Sequence, residues 1–152
     1  MSNDSKNNFT IRTRILKPVA EVFKAVVSGD ILTKYFSHRT SGDLVEGSRV
    51  VWFWEGYGEH PVTVQKVETD RLVVFVWDSE EWHKTGSEEN FAVTVTMEFE
   101  ALDDGNTMLS ISESGWDTAS AAGLKGSYEN CGGWQHMTSC LKAYLEYGID
   151  LR

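Results

Sequence analysis

The stretch NFAVTVTMEFEALDDGNTMLSISESG, residues 90–115, constrains the fold more than any other. Phe91, Val93, Val95, Met97 and Phe99 alternate with Thr94, Thr96, Glu98 and Glu100. After the turn residues DDGN, Leu109 and Ile111 alternate with Ser110 and Ser112. A period of two places successive side chains on opposite faces, so both segments are strands with one apolar and one wet face. The intervening Asp-Gly turn makes them an antiparallel hairpin. A sheet that is dry on one side has to be covered by another layer.

The other segments supply more of the sheet and the cover. Phe9, Ile11 and Ile15 alternate with Thr10, Arg12 and Arg14, which predicts a strand. Pro18 fits the first turn of a helix, where its missing N–H would be unpaired anyway. Val19, Val22, Phe23 and Val26 at helical spacing extend that helix over 18–27. Asp30 is placed to cap a short second helix carrying Ile31, Leu32, Tyr35 and Phe36. GSRVVWFWEG is β-prone, and HPVTVQKVE and RLVVFVWD flank the short turn Thr69-Asp70 as a hairpin. Near the end, Trp134, Met137, Thr138, Leu141, Tyr144 and Leu145 form one stripe of a helix over 133–148, with Gly148 as its stop. At roughly 24 Å it is long enough to cross a curved sheet. The expected architecture is one α+β domain over 9–152, a sheet gripping a C-terminal helix, preceded by a disordered tail over 1–8.

Composition excludes several functions. The net charge is −9, the wrong sign for counterion replacement on nucleic acid or on an anionic membrane surface. No apolar run approaches the length of a membrane span, and the polar start MSNDSKNN has no signal-peptide core. With only two cysteines the simplest setting is reducing and cytoplasmic. Cys131 and Cys140 on one helix lie about 13 Å apart along its axis, too far for a disulfide. His38, His60, His83 and His136 form no metal-ligand spacing, and His136 falls opposite the apolar stripe. No phosphate loop or nucleophile elbow occurs, and GSYENCGG reads as turn chemistry. Neither a catalytic residue, a metal nor a cofactor is assigned. The acidic stretch DSEEWHKTGSEEN, 78–90, reads as a solvated loop or as a lid with Trp82 at its tip.

Six tryptophans in 152 residues are either a bulky core or the lining of an apolar ligand cavity. Trp52 and Trp54 share one face of their strand, and Val73, Phe75 and Trp77 share one face of theirs. Both strands are apolar on both sides; the tryptophan side is taken as the inner one. The candidate ligand-binding set is Trp52, Trp54, Phe75, Trp77, Val95, Met97, Ile111, Glu113, Trp134, Met137 and Leu141. Glu113 continues the Leu109, Ile111 alternation toward the dry side, where a carboxylate is costly unless hydrogen-bonded. It is then a polar handle in a pocket or a general acid; alternatively the strand ends at Ser112 and Glu113 is in solvent.

Three signatures in this order resemble the AHSA1-like (activator of Hsp90 ATPase homologue) family of the START-like, or SRPBCC, superfamily. They are ILKPVAEVFKAVV, then DRLVVFVW followed by FAVTVTMEFEALDDGNTMLSISESGW, and the ending GGWQHMTSCLKAYLEYGIDLR. The resemblance spans about 9–152 and implies a helix-grip fold with a cavity between sheet and helix. It implies a small hydrophobic ligand; some superfamily members, such as polyketide cyclases, run reactions there. The namesake is a two-domain stimulator of the Hsp90 ATPase, and this chain resembles a single domain of its C-terminal type, with no counterpart to the activating N-terminal domain. Three functions follow: binding of a small hydrophobic or aromatic molecule, a cyclase- or hydrolase-like reaction using Glu113, and a chaperone-linked interaction module.

Overall fold

The computed structural model describes residues 7–78 and 91–152. Their order is β1 (Phe9–Ile15), α1 (Val19–Val27), α2 (Gly29–Leu32), β2 (Arg39–Thr40), β3 (Arg49–Trp54), β4 (Gly58–Glu68), β5 (Leu72–Trp77), β6 (Thr94–Ala101), β7 (Thr107–Ser114) and α3 (Ala121–Tyr147). Among these residues the strands form one antiparallel sheet in the order β1-β7-β6-β5-β4-β3-β2. The hairpin that dominated the sequence is β6–β7, turning at Gly105 with φ of 83°. Its register puts Met97 opposite Ile111 and Val95 opposite Glu113, so one row of inward side chains runs Phe75, Val95, Glu113, Phe9. A register shift between Val64 and Lys66 interrupts the β4–β5 ladder, and such a bulge bends a strand.

The ambiguous strands are settled by burial. Val50 and Trp52 of β3 and Val73 and Phe75 of β5 are buried, so the tryptophan face looks inward. The short helices close one side: Val22, Phe23, Ala25 and Val26 of α1 are buried against the sheet. Ser28, not Asp30, holds the N-cap position of α2, and the Gly29 N–H is instead bound by the Asp43 carboxylate at 2.7 Å. That partner comes from a loop fourteen residues away, which local spacing does not reveal.

The largest departure is the C-terminal helix. It starts at Ala121 rather than at 133, capped by Ser120, whose hydroxyl accepts from Gly123 N–H at 2.9 Å, and it ends at Gly148 with φ of 67°. Its first half, AAGLKGSYENCGG, holds four glycines, and its GSYENCGG part reads as turn chemistry. Packing overrides that preference. A Cβ on Gly126 would lie 2.2 Å from the Trp116 ring, and one on Gly123 would lie 1.9 Å from Asp117 O. The glycines are the condition for α3 to lie on the 115–120 loop. Farther along, Trp134, Met137, Thr138, Cys140 and Leu141 are buried on the sheet. Thr138 bonds Thr13 at 3.1 Å, and Lys142 donates to Arg14 O at 2.8 Å, tying α3 to β1.

Asn8, counted with the tail in the sequence, brackets Trp116: its amide donates to Trp116 O at 3.0 Å and its oxygen accepts from Trp116 N–H at 2.9 Å. The rest of the expected tail, 1–6, and most of the expected lid, including Trp82, lie outside the described residues. Among the described residues no helix is long and apolar enough to cross a membrane.

Two glycine substitutions on the same helix are expected to have opposite signs. Gly126→Ala drives a methyl into the Trp116 ring and lowers stability by about 2 kcal/mol. Gly132→Ala meets no atom within 4 Å and raises it by about 0.8 kcal/mol through helix propensity. Urea unfolding of both variants measures this.

Candidate functional site

Where β3, β4 and β5 run out beneath α3, the layers separate and leave a cavity of about 710 Å³. Its wall combines Trp54, Tyr57 and His60 from β3–β4, Trp77 from β5, and Tyr35, Phe36 and His38 from the segment after α2. From α3 come Glu129, Asn130, Gly133, Trp134, His136, Met137 and Cys140, and Arg152 closes the list of contributors from beyond the helix. The aromatic rings brace one another. Phe36 meets Trp54 edge-on at 4.9 Å and stacks on Trp134 at 5.8 Å, while Trp77 and Trp134 are 6.0 Å apart. Trp54 Nε1 donates to Phe36 O at 3.0 Å, which fixes its ring plane.

Behind this wall lies Glu113, fully buried at the inner end of β7. Its Oε1 accepts from Trp116 Nε1 at 2.8 Å and from Asn130 Nδ2 at 3.0 Å. Its Oε2 accepts from Trp134 Nε1 at 2.5 Å, Trp77 Nε1 at 3.2 Å and Asn130 Nδ2 at 3.2 Å. Every one of these groups is a donor, and a carboxylate offers about four lone-pair directions to receive them. Burial of a polar group is tolerated when its hydrogen bonds are replaced, and here they are. Trp77 and Trp134 thus line the cavity while their N–H groups are taken up by Glu113, which does not line it. Trp52 differs: its Nε1 is buried and has no partner among the described residues, as is Ser37 Oγ.

Of the eleven residues singled out in the sequence, Trp54, Trp77, Trp134 and Met137 line the cavity. Trp52 and Phe75 stand directly behind, 5.7 Å from Trp77 and 6.0 Å from Trp134 respectively. Val95, Met97, Ile111 and Leu141 are buried in the hydrophobic core, and none of the four lines the cavity. Glu113 is neither in solvent nor open to the cavity. Asn130 and Trp116 stayed outside the candidate set for different reasons. Asn130 sits one turn before Trp134 on a part of α3 that reads as a turn, and Trp116 lies beyond the strand pattern. The segment 35–38 is brought to the site only by tertiary packing.

His136 is exposed, as its position opposite the stripe requires, yet it also borders the cavity, with Nε2 3.6 Å from Cys140 Sγ. The thiol is no activated nucleophile. Burial, and then the Asp150 carboxylate, push its pKa up, and Arg152 only partly offsets this. Cys131 and Cys140 are both free thiols. Among the described residues no three histidine, cysteine or carboxylate side chains gather as a metal site.

Residues 17–146 match the family described as Activator of Hsp90 ATPase homolog 1-like protein. The chain belongs to this family. Solved structures agree on the START-like helix-grip fold. Protein SSP2350 from Staphylococcus saprophyticus is 26% identical with a TM-score of 0.76, covering 94% of each chain. The Aha1 dimer from Colwellia psychrerythraea is 20% identical with a TM-score of 0.72, over 92% of this chain and 96% of that one. CalU16 from Micromonospora echinospora is 19% identical with a TM-score of 0.67, over 90% of this chain and 72% of that one. No curated protein matches the sequence.

Glu113→Gln places an amide N–H₂ among indole donors. It is expected to lower stability by about 3 kcal/mol, because buried N–H groups are left without an acceptor. Urea unfolding followed by tryptophan emission reads the loss. A second expectation concerns alkali. Tyr35 is fully buried, with its hydroxyl donating to Ala25 O at 2.8 Å, and burial, then the nearby Cys140, raise its pKa well above the ordinary value. The unfolded phenol loses its proton near pH 10 while the folded one keeps it. The stabilisation is therefore whole below about pH 10 and is lost as pH rises from there toward the folded pKa. Tyr35→Phe should flatten the alkaline limb of a stability–pH curve.

Proposed function

We propose that this protein binds a small hydrophobic or aromatic molecule in the cavity between the sheet and α3. The observation that carries the reading is the cavity itself. Its volume of about 710 Å³ lies in the range of small-molecule sites, and braced aromatic rings make up much of its wall with a few polar groups at intervals. Trp54, Trp77, Trp134 and Met137, with Phe36, are the proposed contact surface, and the fully buried Tyr35 supports it. Trp52, Phe75 and Leu141 back it. Glu113 serves the site indirectly, by holding two of the wall indoles in a fixed orientation.

A role for Glu113 as general acid or base finds no support in this geometry. A catalytic proton carrier needs to reach the atom it serves, and both oxygens are already enclosed by the indoles and Asn130.

The neutral fluorophore N-phenyl-1-naphthylamine is a suitable probe, since its emission rises in apolar surroundings and its absorption overlaps tryptophan emission. The native protein should enhance its fluorescence and transfer energy to it. Gly133 supplies the discriminating variant. It lines the cavity, and a Cβ there meets nothing within 4 Å. Gly133→Phe should fold with helix stability raised by about 0.5 kcal/mol and yet lose probe binding, because the new ring occupies the space. Undiminished binding by a folded Gly133→Phe would place the probe elsewhere and remove the proposal.

A further inference from the structure

We infer that the ligand is an amphipathic aromatic anion, a flat ring system bearing one acidic group such as a carboxylate or sulfonate. Its ring lies against Trp54, Trp77 and Trp134, and its acidic group meets Arg152 and His38. This rests on the ligand-binding reading above and adds the chemical class.

The polar groups of the cavity are not spread evenly. Glu129, its acidic side chain, belongs to α3 eleven residues before Cys140, about 16 Å away along the helix axis. Arg152 and His38 belong to the other end. Arg152 lies near enough to Cys140 for its charge to act on the thiol, and His38 near enough to Asp150 to act on that carboxylate. The cavity therefore has an acidic end, an aromatic middle and a basic end. An elongated anion has one favourable direction of entry.

Arg152 is held in place before any ligand arrives. Nε and Nη2 each donate to Asp150 at 3.0 Å, and Nη1 donates to Ser37 O at 3.1 Å. Its side chain is only 22% exposed, whereas that of Asp150 is 52% exposed. A guanidinium has five N–H donors, so these contacts leave one hydrogen on each Nη. Hydrogens of this kind suit an oxyanion, and an anchored side chain loses little freedom on binding. Asp150 tempers the positive charge from the solvent side but does not occupy those two hydrogens.

His38 adds a donor with a fixed tautomer. Its Nδ1 accepts the Glu55 N–H at 3.0 Å, so the neutral ring carries its proton on Nε2. His60 holds the same tautomer with its other nitrogen free: Nε2 donates to Tyr57 O at 3.0 Å, which leaves Nδ1 as an acceptor. The basic end thus offers donors from Arg152 and His38, while His60, edge-on to Trp54 at 5.4 Å, can receive a ligand hydroxyl beside the ring system.

The test compares two probes that differ by one group: 1-anilinonaphthalene-8-sulfonate and its uncharged parent, N-phenyl-1-naphthylamine. The parent is the more apolar, so hydrophobic burial alone favours it. The native protein is expected to bind the sulfonate about tenfold more tightly, and Arg152→Gln to weaken the sulfonate about tenfold more than it weakens the parent. Equal affinity of the native protein for both probes would overturn the inference and leave ligand binding standing. So would an Arg152→Gln variant that weakens both alike. Binding of neither probe would remove the underlying reading itself. The native comparison needs no variant, so the inference stays testable if Arg152→Gln misfolds.

Discussion

The carboxylate of Glu113 is the interaction on which the site depends. It draws together β7, the end of β5, the loop before α3 and two positions of α3, through three indole N–H groups and one amide. Of these donors Trp134 is itself buried and reaches the carboxylate from beneath the helix. A buried donor without a partner costs about 1–3 kcal/mol, so the carboxylate and its tryptophans stabilise one another or fail together. The same bonds hold Trp77 and Trp134 in the cavity wall. A buried polar cluster and an apolar ligand wall are, in this protein, two sides of the same rings.

Backbone chemistry prepares that arrangement. Trp116 reaches Glu113 only because Gly126 leaves room for its ring beneath α3, and Asn8 holds its backbone from the other side. Glycine is among the poorest helix formers, yet here it permits a close approach that a side chain would forbid. Farther along the same helix, Gly133 faces open space rather than a ring, and that space is part of the cavity. Small residues on one helix thus serve contact at one end and vacancy at the other.

Much of the fold was legible because alternation and helical spacing are local signals. Every strand but the two-residue β2, the inward alternation of β6 and β7, the stop at Gly148 and the family resemblance could be read from residue order. The same period of two pointed Glu113 inward, although its partners could not be named. The first half of α3 was not legible, since its GSYENCGG part has the composition of a turn and becomes helical through packing on Trp116 and the 115–120 loop. Asn130 was missed with it. Tyr35, Phe36, His38 and Arg152 were out of reach for a different reason: they come from segments far apart in the chain and meet only around the cavity.

The sequence by itself determined the class of the domain, the dry and wet faces of its clearest strands, and the presence of more tryptophan than an ordinary core requires. Those properties follow from periodicity, which acts over a few residues. Only the tertiary structure decided which tryptophans fill the core and which border empty space, how a buried carboxylate is satisfied, and where basic groups gather. Those outcomes depend on contacts between residues up to more than a hundred positions apart, such as Asn8 with Trp116 and Ser37 with Arg152. Such contacts leave no trace in local spacing, because they are set by how the sheet bends around the helix.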